Sequence, residues 1–142
     1  NPLMKVYYAP ELTDGDYELT VIGKDFNGNY SEPVTKTFKV KNSLEVMEVY
    51  NYPNPFKDDT YFTFIATQIP DELRISIYTV AGRKIKEIKK NKNELNYDYN
   101  VIYWNGKDED NNRIANGVYF YKLEVKHKDK KIIKLGKIAK VK

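Results

Sequence analysis

An all-β chain of sandwich type is predicted by three features of the sequence. Short segments alternate apolar and polar residues, most clearly in Leu73-Arg74-Ile75-Ser76-Ile77-Tyr78, and period-two alternation places one face of a strand in a core. Turn-forming pairs such as Asn27-Gly28, Asn105-Gly106 and Asn116-Gly117 punctuate those segments, as they do in sandwiches and barrels. The 13 Tyr, 6 Phe and 1 Trp are residues that pleated, half-buried surfaces favour. No segment of useful length has helical periodicity.

In order, Tyr17, Leu19 and Val21 alternate with Glu18, Thr20 and Ile22. Asp25-Phe26-Asn27-Gly28-Asn29 then supplies turn chemistry, and Val34, Lys36, Phe38 and Val40 share the parity of a returning strand. Val6 to Tyr8 are expected to add a short strand ahead of this hairpin. Three strands do not close a sandwich, and the chain opens mid-pattern. Residues 1–43 are therefore read as the last strands of one domain, and the whole chain as the C-terminal part of a longer protein. Lys41-Asn42-Ser43 serves as the linker.

Residues 44–142 carry seven short strands of their own. Residues 44–50 give the first. Pro53 and Pro55 then forbid ladder hydrogen bonds at their own nitrogens, so Asn51 to Phe56 reads as a rigid crossover. Thr60, Phe62 and Phe64 alternate in the second strand, and Leu73, Ile75 and Ile77 in the third. Ala81-Gly82-Arg83 is a hairpin turn. In the returning strand Ile85 and Ile88 differ in parity, which predicts a bulge. Tyr97, Tyr99, Val101 and Tyr103 recur with period two before Trp104. After a turn-rich acidic loop, Tyr119, Tyr121, Leu123 and Val125 share one face, and residues 132–141 close the sheet beyond a charged hairpin tip. Gly15-Asp16-Tyr17 echoes Gly117-Val118-Tyr119, each followed by alternation, a polar turn and a final strand. In immunoglobulin-like sandwiches a Tyr near the start of the penultimate strand bonds back to the preceding corner, so the echo points to two tandem sandwiches.

Composition removes most enzyme classes. With no cysteine and His127 as the single histidine, neither a thiol nor a serine triad of the usual kind can be assembled. No phosphate-cradling glycine loop occurs. His127 is expected at a solvent-exposed hairpin tip, and the carboxylate pairs fall in turns that explain them. No catalytic residue and no cofactor are expected. The net charge of +4 is modest and comes mainly from lysine. Nucleic-acid binding would want arginines in a groove, so no nucleic-acid partner is expected. No stretch approaches the roughly 18 apolar residues of a membrane span, so direct membrane insertion is not expected either. Asp108, Asp110 and Asn112 have the spacing of the first calcium-loop ligands, but Arg113 and Tyr119 stand where such a loop wants Gly and Glu. An Asx-rich turn accounts for the same residues. Trp104 and the tyrosines admit a sugar-stacking reading, against which stands an ordinary role as core and cross-strand pairs.

Several stretches together resemble one family. Tyr52-Pro53-Asn54-Pro55-Phe56, then Ile77-Tyr78-Thr79-Val80-Ala81-Gly82-Arg83-Lys84-Ile85, then Trp104-Asn105-Gly106-Lys107-Asp108, then Ala115-Asn116-Gly117-Val118-Tyr119-Phe120-Tyr121 fall in order. They are similar to the C-terminal sorting domain of type IX secretion cargo in the Bacteroidota, in the variant like the immunoglobulin-like domain of the flagellar hook cap. The Trp-Asn-Gly-Lys-Asp stretch is the hook-cap-like feature. The upstream hairpin resembles the end of the immunoglobulin-like domain that precedes the sorting domain in gingipain-like or sortase-related surface proteins. The resemblance implies an immunoglobulin-like sandwich at 44–142. It further implies a non-catalytic sorting signal that docks on an outer-membrane shuttle β-barrel and translocon, with a sortase as a further partner. The destination would be secretion or the cell surface, by way of periplasm and outer membrane. Carried over by position, the recognition residues are Pro53, Asn54, Pro55, Gly82, Arg83, Gly117, Tyr119 and Lys137. Any catalysis of a parent protein would lie upstream. The alternatives are a structural immunoglobulin-like module of a hook-cap, filament or adhesin assembly and, third, a carbohydrate-binding module.

Overall fold

The computed structural model describes residues 6–142. Its contacts divide the chain into two compact units, one ending at Asn42 and the other running Ser43–Lys142.

The first unit holds an antiparallel pair, β1 (Gly15–Val21) and β2 (Val34–Val40). Val6 to Tyr8 form no strand, contrary to expectation. The turn between the strands is built by Asp25, whose Oδ1 accepts from the backbone N–H of Asn27 at 2.8 Å and of Asn29 at 2.9 Å. On one face Tyr17 stacks on Phe38, with ring centroids 5.8 Å apart. Leu19, Val21 and Val34 lie exposed on the same face.

The second unit is an immunoglobulin-like sandwich. One sheet orders β3 (Val46–Tyr52), β4 (Thr60–Ala66) and β7 (Asp98–Trp104). The other orders β6 (Lys84–Asn91), β5 (Glu72–Thr79), β8 (Gly117–His127) and β9 (Lys130–Lys140). All pairings are antiparallel. The chain passes between the sheets after β4, β6 and β7, the over-and-back wiring of Greek-key sandwiches. The link from β6 to β7 contains a short 3₁₀ turn, Lys92–Glu94. Asn91 and Glu94 close a capping box on it: the Glu94 carboxylate accepts from the Asn91 N–H at 3.1 Å, and the Asn91 side-chain oxygen accepts from the Asn93 N–H at 3.0 Å.

The core follows from alternation. Phe62, Phe64 and Ala66 face Leu73, Ile75 and Ile77, with Tyr121, Leu123 and Val125 beside them. Each such large apolar side chain contributes about 1.5–3 kcal/mol on burial. The buried Asn100 among them is satisfied locally. Its amide accepts from the Asn96 N–H at 2.8 Å and donates to the Asn96 carbonyl at 2.9 Å.

Two irregularities decide which residues reach that core. The β5–β6 register slips between Ile77 and Tyr78, so Ile85 and Ile88 both pack inward despite their parity. In β3 a bulge lies between Met47 and Tyr50, with Glu48 at φ 49°. The strand consequently runs two residues past the expected end at Tyr50. The bulge also switches parity, so that Val46 and Val49 face the core while Met47, Tyr50 and Tyr52 face out.

The outer faces of the two sheets differ in character. On the four-stranded sheet Glu87 lies 3.4 Å from Arg74 and 3.6 Å from Lys84, and Glu124 lies 2.8 Å from Lys131 and 3.7 Å from Lys122. The three-stranded sheet instead carries uncharged rows: Tyr52–Tyr61–Tyr103, Tyr50–Thr63–Val101 and Met47–Ile65–Tyr99.

Candidate functional site

The register gathers the sequence landmarks at one end of the sandwich. Thr79, the last residue of β5, pairs with Tyr119, which pairs in turn with Ile138. Gly117 pairs with Lys140. The β5–β6 turn follows directly, and the Pro53–Phe56 segment lies along the end of β9, where Phe56 bridges to Lys140.

Pro53, Asn54 and Pro55 follow the end of β3, with the Tyr52–Pro53 and Asn54–Pro55 peptide bonds both cis. Lacking N–H groups, the two prolines leave Asn54 to do the bonding. Its side-chain oxygen accepts from the Ala139 N–H at 3.0 Å, and its amide nitrogen donates to the Lys137 carbonyl at 3.2 Å. The Phe56 backbone continues the ladder, donating to Ala139 at 2.9 Å and accepting from Val141 at 2.9 Å. The Pro53 carbonyl accepts from the buried Thr60 hydroxyl at 2.9 Å. Phe56 itself is fully buried, 5.3 Å from the Trp104 ring. The segment thus serves as a polar clamp on β9 and an apolar plug in the core.

Gly82 occupies the turn at φ 88°, in the left-handed region that glycine tolerates without a Cβ clash. Its N–H donates to the Thr79 carbonyl at 2.9 Å, and the Thr79 N–H donates to the Arg83 carbonyl at 2.9 Å. Arg83 stands exposed beside this turn. Burial pushes the Tyr119 phenol above its usual range, and the Arg83 charge partly offsets that. The arginine is therefore within electrostatic reach of the buried tyrosine. Tyr119 donates to the Ala115 carbonyl at 2.7 Å. Tyr17 makes the same bond, to the Thr13 carbonyl at 3.0 Å, so the echo between the two halves of the sequence is structural as well. Lys137 is exposed, its ammonium 6.0 Å from the Phe120 ring centroid.

The acidic loop adjoins this end. Arg83, Asp108, Glu109 and Asp110 line a shallow hollow with Lys84 and Ile85. Asp108 Oδ1 accepts from the backbone N–H of Asp110 at 3.0 Å and of Asn112 at 2.8 Å, the Asx-turn arrangement. Among the described residues no three His, Cys, Asp or Glu side chains gather as metal ligands. Glu109 instead ties the loop to β6, accepting from the Glu87 N–H at 2.7 Å and from Lys86 at 3.3 Å.

Trp104 is buried and donates to the Lys107 carbonyl at 2.9 Å, the core role that stood against a stacking platform. One expectation needs correction. His127 is half-buried rather than free in solvent, with Nδ1 at 3.0 Å from the Ile69 carbonyl. Sequence reasoning also missed the bonding role of Asn54, whose partners lie more than eighty positions further on. It missed the outward tyrosines as well. Their one visible signal is a parity opposite to that of Ile102 and Trp104.

The family described as the secretion system C-terminal sorting domain matches residues 48–135. Among solved structures the chain is similar to dimeric latent PorU from Porphyromonas gingivalis, with a TM-score of 0.59 and 20% identity over 94% of this chain and 13% of that one. It is also similar to PorZ from the same organism, described as an essential bacterial surface component of the type IX secretion system. There the TM-score is 0.44 and the identity 26%, over 66% of this chain and 11% of that one. The first likeness speaks to fold, and in both cases the chain spans a small part of the solved protein. No curated protein matches the sequence.

Proposed function

Because the chain belongs to the family of secretion system C-terminal sorting domains, we propose that it is the handle by which a cargo protein leaves the cell through a type IX secretion system. The observation that carries this reading is the family match across the sandwich, from the outward half of β3 into β9. We place recognition at one end of the sandwich. Pro53 to Pro55, the Gly82–Arg83 turn, Gly117 and Lys137 lie toward that end, where Asn54 and Tyr119 bond to the backbone. A partner meeting this end therefore finds a preformed surface, which lowers the ordering cost of binding.

In this reading the folded sandwich docks on an outer-membrane shuttle β-barrel, and a sortase then acts on the cargo at the cell surface. Arg83 is the contact residue, because its guanidinium is exposed and a hairpin tip gains little from arginine specifically. Tyr119 positions the corner behind it.

The test appends the whole chain to the C-terminus of a reporter in a bacterium that has the machinery. The reporter should reach the surface or the medium, and its retention in the periplasm would overturn the proposal. Arg83→Ala should lower the exported fraction severalfold while leaving Tm unchanged. Export at the original level would remove Arg83 from the recognised surface.

A further inference from the structure

The outer face of the β3–β4–β7 sheet is out of keeping with a solvated surface. Its nine paired outward positions are Tyr52, Tyr61, Tyr103, Tyr50, Thr63, Val101, Met47, Ile65 and Tyr99. None carries a charge, whereas the opposite sheet is covered by ion pairs. The five tyrosines on it range from 41% to 76% exposed, and Tyr97, at 63%, extends the patch at one end. Taking about 200 Å² for a whole tyrosine, the six rings present about 700 Å² of accessible surface, and Met47 and Val101 raise the total to about 850 Å². That exceeds the largest apolar patch of a typical monomer, about 300–600 Å². It matches what one partner contributes to a standard interface, about 800 Å².

We propose that this face is where a second copy of the chain docks, sheet against sheet, about a two-fold axis passing near Val101. Three properties single out a second copy. A two-fold interface sets a patch against itself, so any charge at its centre would meet its own like, and the nine paired positions have none, with Glu48 in the β3 bulge and Asp59 left to the margins. Tyrosine hydroxyls both donate and accept, so two identical faces can satisfy one another. The available area is that of a stable pair rather than of a small ligand. A glycan platform wants coplanar rings, and the neighbouring Tyr61 and Tyr103 rings are tilted by 56° at 5.4 Å. Asp59 sits at the rim beside Tyr103. Burial, then the Asp59 charge and the hydrogen bond between the two side chains, push that phenol up. The inference does not depend on the export reading and is tested without it.

Sedimentation of the full chain over rising concentration should show the mass climbing from that of one chain to that of two. Val101 is half-exposed, so Val101→Lys and Val101→Glu should keep the native circular dichroism yet each remain single. Mixed in equal amounts, the two variants should pair, since opposite charges then meet at the axis. Tyr103→Ser, which only shortens a rim ring, should weaken association at least about tenfold. A wild-type chain that stays single at every concentration would overturn the proposal. So would pairing that survives both Val101 variants, which would move the contact elsewhere. A single chain whose tyrosine fluorescence responds to a neutral hexasaccharide would overturn it too, and would assign the face to a glycan.

Discussion

Asn54 behaves as a short piece of strand. Flanked by two residues without N–H groups, its side chain supplies both the donor and the acceptor that the β9 backbone needs. Asn54→Ala removes both bonds, and urea denaturation should register a loss of about 1–2 kcal/mol. Asn54→Asp keeps the acceptor for Ala139 but offers Lys137 no donor, so it should fall between the two. Gly136 is constrained by space. A Cβ there would run into the Tyr121 ring, which lies across the strand opposite it. Gly136→Ala should cost about 1–3 kcal/mol through overpacking. In combination with Tyr121→Leu it should cost less than the sum of the two, because the second change vacates the contested volume. Neither role is legible locally. The amide partners of Asn54 lie 83 and 85 positions away, and a glycine within an alternating strand reads as a mere weakness until its cross-strand neighbour is known.

Among the elements, strands with a plain apolar–polar alternation were legible and those with ambiguous residues were not. Leu73, Ile75 and Ile77 could only face inward. The row Tyr97, Tyr99, Val101, Tyr103 carries ring and hydroxyl together, so the same period suits a core or a surface, and the structure turns it out. The bulge at Glu48 was invisible for a different reason. It depends on register with β4, which no feature of residues 46–52 encodes. The β8–β9 ribbon has a titration signature. The hydrogen bond from Lys131, followed by the charges around it, holds the Glu124 carboxyl below the ordinary value of 4.5. A carboxyl depressed in the folded state stabilises fully above its unfolded pKa and loses that contribution as pH falls through the folded value. Acid unfolding of the wild type should therefore steepen below about pH 4.5, and Glu124→Gln should flatten that part of the profile. The acidic loop gives a contrasting expectation. Asp108 is already occupied by two backbone N–H groups, so added calcium should leave Tm unchanged in a thermal melt.

For the molecule as a whole, the two units differ in self-sufficiency. Residues 43–142 enclose a complete core, whereas the β1–β2 pair leaves Leu19, Val21, Val34 and Phe38 exposed. Isolated two-stranded hairpins are marginal in water. A chain of residues 43–142 alone should therefore melt at the Tm of the full chain by calorimetry, and residues 1–42 alone should show no cooperative transition. That the sequence holds a sandwich, and where its turns fall, could be read from alternation and Asn-Gly pairs, because those are local. The placement of the crossover against β9 could not. That placement orders events in time. Ile138, the Asn54 clamp and the Phe56–Val141 bond all wait on residues 137–141, while every other strand has already been synthesised. A chain interrupted short of this segment leaves Phe56 without its backbone partners and residues 117–120 of β8 without theirs. The sandwich therefore cannot close until residues 137–141 are in place, and its folding waits on the segment of the fold that is made last.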